Sequence, residues 1–276
     1  LAFNRLIELQ IGIPGEIGTI IKDLRISFNV EKTDTESANK AEIQIYNLTD
    51  DTSNKIGKAG NFVIIKAGYI DEGINNLFFG NVTYSLSKKT GTEKILQIQA
   101  VDGVNNIQDI NITVTYNAGT TIQKIFNDMV LLYGLPLTNT NLILPGQYVN
   151  GYVFTGKVKD ALSQVLGRLN LSWTIQNNQL VVIESDKAIE RTGLLISPNT
   201  GLIGSPEILI DTDTEPTEEP PVKYKIKCLL FPQLFPGVEF KLQSEKVNGT
   251  FKIETAKFTG DNYEGDFVCE LEAVQI

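Results

Sequence analysis

Hydrophobic and polar residues alternate strictly in two neighbouring stretches. Apolar side chains occupy every second position in residues 24–30, from Leu24 through Ile26 and Phe28 to Val30, and residues 41–46 repeat the pattern. That period of two predicts two half-buried strands. The connection between them, residues 31–40, holds nothing apolar larger than Ala38, and residues 47–56 place capping types, Asn47 and Thr49, ahead of a short helical turn. Similar alternation predicts strands at residues 6–13, 62–69, 77–86 and 94–100, with Gly80 as a bulge or close approach. Residues 71–76 read as a loop, and residues 88–92 close a hairpin. Strands so evenly spaced argue for a sandwich or barrel.

The period changes in the middle of the chain. Ile122, Ile125, Phe126, Met129, Val130 and Tyr133 fall on one helix face, with Thr120 or Thr121 as cap and Gly134 as left-handed stop. Val158, Ala161, Leu162, Val165, Leu166 and Leu169 predict a second helix over 157–169. Residues 171–176 and 179–183 then read as a hairpin on a two-residue Asn177-Asn178 turn. Strand patterns return at 193–196, 201–204 and 207–210, and again beyond residue 222. The fold class is mainly β with a small α+β middle domain. The expected divisions are 1–111, 112–187 and 188–276, the two outer domains being antiparallel β. Residues 211–221 carry five acids and three prolines with nothing apolar, and predict a mobile acidic loop.

A chain of 276 residues with 42% hydrophobic and 21% charged residues can bury a sizeable core. No apolar run reaches the roughly 20 residues of a membrane span, and no basic-then-apolar leader opens the chain, so neither export nor stable membrane insertion is expected. A net charge of −9 argues against a general nucleic-acid binder. Cys228 and Cys269 are too few for a disulfide scaffold, and free, partly buried thiols are expected.

The chain has no histidine. That removes Ser-His-Asp and Cys-His nucleophiles, imidazole metal ligands and the usual neutral-pH base. Carboxylate-pair chemistry survives, with Glu184 and Asp186 or Asp261 and Glu264 as candidates, but such pairs must face each other across a cleft. Surface turn acids are the simpler reading. Gly12-Ile13-Pro14-Gly15 and Gly91-Thr92-Glu93-Lys94 lack the strand-to-helix context of a phosphate loop. Asp211, Asp213, Glu215, Glu218 and Glu219 lack the ordered loop of a calcium site. Trp173 on an alternating strand reads as core. No catalytic, metal or cofactor-binding residue is therefore assigned, no cofactor is expected, and the chain is not expected to be an enzyme.

One resemblance runs along almost the whole sequence. Residues 24–56, with Ala38-Asn39-Lys40-Ala41 in the polar loop and Ile43-Gln44-Ile45-Tyr46-Asn47-Leu48 after it, resemble the first tube domain of baseplate hub proteins of contractile-tailed phages, which also occur in R-type pyocins. Residues 118–135 and 156–182 are similar to that family's middle domain. Residues 201–206, 229–237 and 248–253 are similar to its second tube domain. The resemblance implies a homotrimer whose two tube domains per subunit form a pseudo-sixfold ring, joining the sixfold tail tube to the threefold spike. The implied partners are the tail tube protein, the spike protein and other baseplate proteins, with DNA only as passing cargo through a channel whose acids would repel it. The implied location is the virion tail baseplate, assembled in the host cytoplasm. Any enzyme or spike is expected on another chain. The alternatives are a carbohydrate- or receptor-binding tail module using exposed Tyr69, Tyr84 or Tyr152, and a cell-wall hydrolase using a carboxylate pair.

Overall fold

The computed structural model describes residues 4–102, 110–138, 141–184, 188, 190–209 and 222–276. The first β region holds β1 (Arg5–Gly12), β2 (Thr19–Ile21), β3 (Ile26–Thr33), β4 (Lys40–Tyr46), α1 (Asp50–Ile56), β5 (Phe62–Tyr69), β6 (Gly73–Thr90) and β7 (Glu93–Val101). The middle region holds β8 (Asn111–Tyr116), β9 (Thr120–Thr121), α2 (Ile122–Tyr133), β10 (Gln147–Tyr148), β11 (Tyr152–Lys157), α3 (Val158–Gly167), β12 (Leu171–Gln176) and β13 (Gln179–Glu184). The last region holds β14 (Glu190–Ile196), β15 (Leu202–Leu209), β16 (Lys223–Leu229), β17 (Val238–Gln243), β18 (Asn248–Asp261) and β19 (Phe267–Gln275).

The first and last regions share one 13-stranded sheet, in the order β15-β16-β19-β18-β3-β4-β7-β6-β5-β1-β2, with β17 on β18 and β14 parallel to β17. The join is β18 against β3, antiparallel from Thr255 opposite Thr33 to Asp261 opposite Ser27. Alternation sends Ile26, Phe28 and Val30 inward beside Ala256 and Phe258, so a single apolar cluster runs through both regions. The order also repeats. Strands β3-β4-β7-β6 and β15-β16-β19-β18 lie in the same sequence across the sheet, each with a hairpin, β6–β7 or β18–β19, at its far side. Each hairpin's first strand reaches back to one more strand, β5 or β17.

Sequence and structure differ where the alternation is weak. β6 begins at Gly73, inside the expected loop, and its last positions are solvent-exposed and polar. Gly80 is a close approach and not a bulge: a Cβ there would sit 2.2 Å from the Val101 carbonyl oxygen. The register shifts of β6 fall elsewhere, between the Ile65 and Lys66 pairings and between Val82 and Tyr84. The two short strands expected at 201–204 and 207–210 are one strand, β15, with a register shift between Ile203 and Glu207.

The middle region has its own apolar cluster. Ile125, Phe126 and Met129 of α2 pack with Leu162 and Val165 of α3 and with Trp173. Thr121 caps α2 by accepting from the Lys124 amide, and Gly134 ends it at φ 77°. Trp173 is fully buried, donating from Nε1 to the Ser163 hydroxyl at 3.0 Å.

A buried polar joint fixes this unit to the sheet. The Asn177-Asn178 turn, at φ 54° and 60°, donates both backbone N–H groups to Asp102, at 2.6 Å each. Asn39 Nδ2 donates to the Ile175 carbonyl at 2.6 Å and to Asp102 Oδ2 at 3.2 Å, while its Oδ1 accepts from the Thr33 amide. Lys32, buried in β3, donates to Asn177 Oδ1 at 3.0 Å. Burial lowers the Lys32 ammonium to about 8 against the attraction of Asp102, and raises the Asp102 carboxyl against the same charge and its hydrogen bonds.

Asp102→Ala leaves two part-buried turn amides without their acceptor and takes the compensating negative charge from buried Lys32. The expected loss is about 3 kcal/mol in urea unfolding, together with early proteolytic release of the middle region. Wild-type stability in that variant would contradict this account of the joint.

Candidate functional face

The alternation that buries one face of the large sheet leaves the other polar, and cross-strand register arranges it in rows. One row runs Lys227, Glu270, Lys257, Glu31, Lys40 over five adjacent strands, alternating in charge at every step. Lys257 lies 3.1 Å from Glu31, and Glu270 lies 3.2 Å from Lys225 and 3.7 Å from Lys227. Partial burial opposes ionisation of Glu270. The hydrogen bond and charge of Lys225, with Lys227 and Lys257, outweigh it and hold this carboxyl below its ordinary range. The next rows are largely uncharged: Thr259, Asn29, Glu42, Gln99 and Tyr84, then Asp261, Ser27, Gln44, Gln97 and Leu86. A groove of about 580 Å³ lies over them, lined by Arg25, Asn29, Glu42, Gln44 and Asp261 among others.

At the end of these rows Arg25 gathers the candidate carboxylates. It donates from Nε and Nη2 to Asp261 Oδ2, at 3.1 and 2.9 Å, and from Nη2 to Glu264 at 2.9 Å. The Tyr46 and Tyr263 rings flank the guanidinium at 4.6 and 5.5 Å. Asp261 Oδ1 accepts from the Tyr263 and Glu264 amides. Two carboxylates converging on one cation do not face each other across a substrate gap, as glycoside cleavage needs. Arg25 is the residue that sequence reading missed, because its partners lie 236 and 239 positions away.

The other candidates scatter. Glu184 ends β13, where its carbonyl accepts from Lys252 at 2.8 Å, and Asp186 lies outside the described residues. The acidic loop 211–221 also lies outside them. Two of the three tyrosines named as exposed aromatics are buried. Tyr69 is 3% exposed, with its hydroxyl accepting from the Leu230 amide, and Tyr152 is 5% exposed, donating to Gln164. Both sit on inward positions of their strands, so neither presents a ring to sugar. Tyr84 is 54% exposed, on the polar face. Cys228 and Cys269 are free, fully buried and directly opposite each other on β16 and β19. Among the described residues no group of three or more His, Cys, Asp and Glu could hold a metal ion, and no helix is long and apolar enough to cross a membrane.

Where β3 leaves the joined sheet, burial and the nearby Glu254 push the Asp34 carboxyl up to about 6, against the charges of Lys252 and Lys223. The folded chain holds this proton more tightly than the unfolded one. Its stabilising contribution is complete below the ordinary carboxylate range and is lost as pH rises through about 6. Asp34→Asn is expected to raise the urea midpoint at pH 8 and to give no gain at pH 4. An equal effect at both values would show that charge at Asp34 is not the cause.

The profile of the family described as "Baseplate hub gp41" matches residues 6–273. No curated protein matches the chain by sequence. Among solved structures, the tail protein of Neisseria meningitidis MC58 superposes with a TM-score of 0.67 at 12% identity, over 99% of this chain and 97% of that one. The 43 kDa tail protein of prophage MuSo2 from Shewanella oneidensis gives 0.68 at 11%, over 98% and 97%. The E. coli c3393 protein, described as a component of the type VI secretion system, gives 0.59 at 10%, over 97% and 77%. At these identities the superpositions establish a shared fold, and the family is carried by the profile, which spans nearly the whole sequence: the chain belongs to the baseplate hub gp41 family of the phage tail baseplate.

Proposed function

We propose that three copies of this chain close into a ring that joins the sixfold tail tube to the threefold spike, with the polar face of the sheet lining part of the DNA channel. The observation that carries this reading is the repeat within the sheet. Two equivalent four-stranded blocks per chain supply six blocks from three copies, a pseudo-sixfold surface for a tube and a true threefold axis for a spike. The partners are the tail tube protein, the spike protein and neighbouring baseplate proteins, and the role is mechanical, not catalytic. Residues 1–111, 112–187 and 188–276 act as three units. The two apolar clusters support the middle unit as a separate core, while the outer two units work as one wall.

The face suits passing DNA by balance instead of by acidity. Lys40, Lys225, Lys227 and Lys257 stand among Glu31, Glu42, Glu270 and Glu272, and amide and hydroxyl side chains fill the rows beside them. A wall of compensated charge offers phosphates no continuous basic track, so it does not hold them by counterion release. Replacing Glu31 and Glu42 with Lys gives the wall a basic stripe. Phage carrying both substitutions are expected to assemble and to release their genome several-fold more slowly, with the defect shrinking at high salt. Unchanged release at low salt would mean that this face does not meet the DNA.

A further inference from the structure

We infer that the seam between copies is an antiparallel pairing of β6 from one chain with β15 of a second copy of this chain, in the register that sets Leu86 opposite Leu209 and Lys88 opposite Glu207. The inference rests on the ring reading and adds to it the surface, the partner strand and the register.

Two sheet edges motivate it. Among the described residues β15 is the terminal strand of the sheet, and Ile208 on it is 61% exposed. β6 pairs with β5 only over Gly73–Asn81, so among the described residues the outer edge of 84–90 has no strand partner. An unpaired edge with exposed apolar side chains is a template for another strand. The strands of the sheet from β6 to β15 alternate in direction throughout, so a β15 placed beside β6 meets it antiparallel and continues the alternation.

The internal repeat supplies the register. β6 and β18 are counterparts, and each has a one-residue shift, between Val82 and Tyr84 and between Ile253 and Thr255. Aligning these bulges makes Leu86, Ser87 and Lys88 the counterparts of Lys257, Phe258 and Thr259. On the other side, stepping through the paired strands makes Glu207, Ile208 and Leu209 the counterparts of Asn29, Val30 and Glu31. Inside the chain, β18 meets β3 with Lys257 opposite Glu31, Phe258 opposite Val30 and Thr259 opposite Asn29. Transferred to the seam, those pairs become Leu86 with Leu209, Ser87 with Ile208 and Lys88 with Glu207.

Two of the three transferred pairs, Leu86 with Leu209 and Lys88 with Glu207, are chemically matched, although nothing in the alignment of bulges required it. Leu86, 37% exposed, gains an apolar neighbour, and Lys88 gains an acid. Ile208 comes to Ser87 beside a cavity of about 180 Å³ whose apolar wall is Leu48, Ile95 and Leu96 and whose rim carries Asp50, Lys89 and Lys94. Pro206, with no N–H to offer a partner, bounds the seam.

The test is a full-length chain carrying Leu86→Cys and Leu209→Cys, oxidised with a small disulfide reagent. Opposed residues of an antiparallel pair stand about 4.5–5.5 Å apart at Cα, within disulfide reach. Covalent species ending at three chains are expected, and neither single variant should give that ladder. Lys88→Glu and Glu207→Lys should each weaken self-association roughly threefold per seam, and the double exchange should restore it. A trimer by light scattering that does not crosslink would overturn the seam and leave the ring standing. A monomer that also fails to crosslink would overturn both.

Discussion

Everything in this molecule that resembles a wall depends on the pairing of β18 with β3. These strands are separated by most of the chain, yet seven consecutive residues pair from Thr255 to Asp261. The contact turns two modest sheets into one continuous surface and lets Phe28 and Val30 share a core with Ala256 and Phe258. Without it each half would expose an unpaired edge and a strip of buried apolar surface. The contact also gives the polar face its rows, since Lys257 faces Glu31 only in this register. A slip of one residue would turn those charges into the core.

The second constraint is polar and buried. At the sheet's inner surface Asp102 accepts both amides of the Asn177-Asn178 turn, Lys32 donates to Asn177 Oδ1, and Asn39 bonds Asp102 and the Ile175 carbonyl just before the turn. Such a network contributes little net stability compared with an apolar contact of the same size. Its geometry is strict, however, because each group is satisfied in one arrangement only. The middle unit is therefore held in a fixed pose against the sheet.

Local features were legible in the sequence because they depend on neighbours a few residues apart. The α2 cap at Thr121, its Gly134 stop, the Asn177-Asn178 turn and the alternation of β3 and β4 all appear where the residues predict them. The failures have a common cause in distance. Nothing local distinguishes Arg25 from any surface arginine, since its ion pairs form across the β18–β3 join. Tyr69 ends β5 beside a turn, where exposure is the usual state. Tertiary packing brings Phe267 to 5.3 Å from its ring instead. The exposed end of β6 carries polar residues on both faces, so no periodicity marks it as strand. Its hydrogen bonds to β7 hold it.

The proposed ring is a repeated sheet closed around an axis, with balanced charge facing inward. Particle averaging of the purified oligomer measures that most directly. Three subunits around an open channel, with Glu31, Glu42 and Lys257 on its wall, is the predicted result. A closed particle with those residues on its outer surface, or one with no central channel, would contradict it.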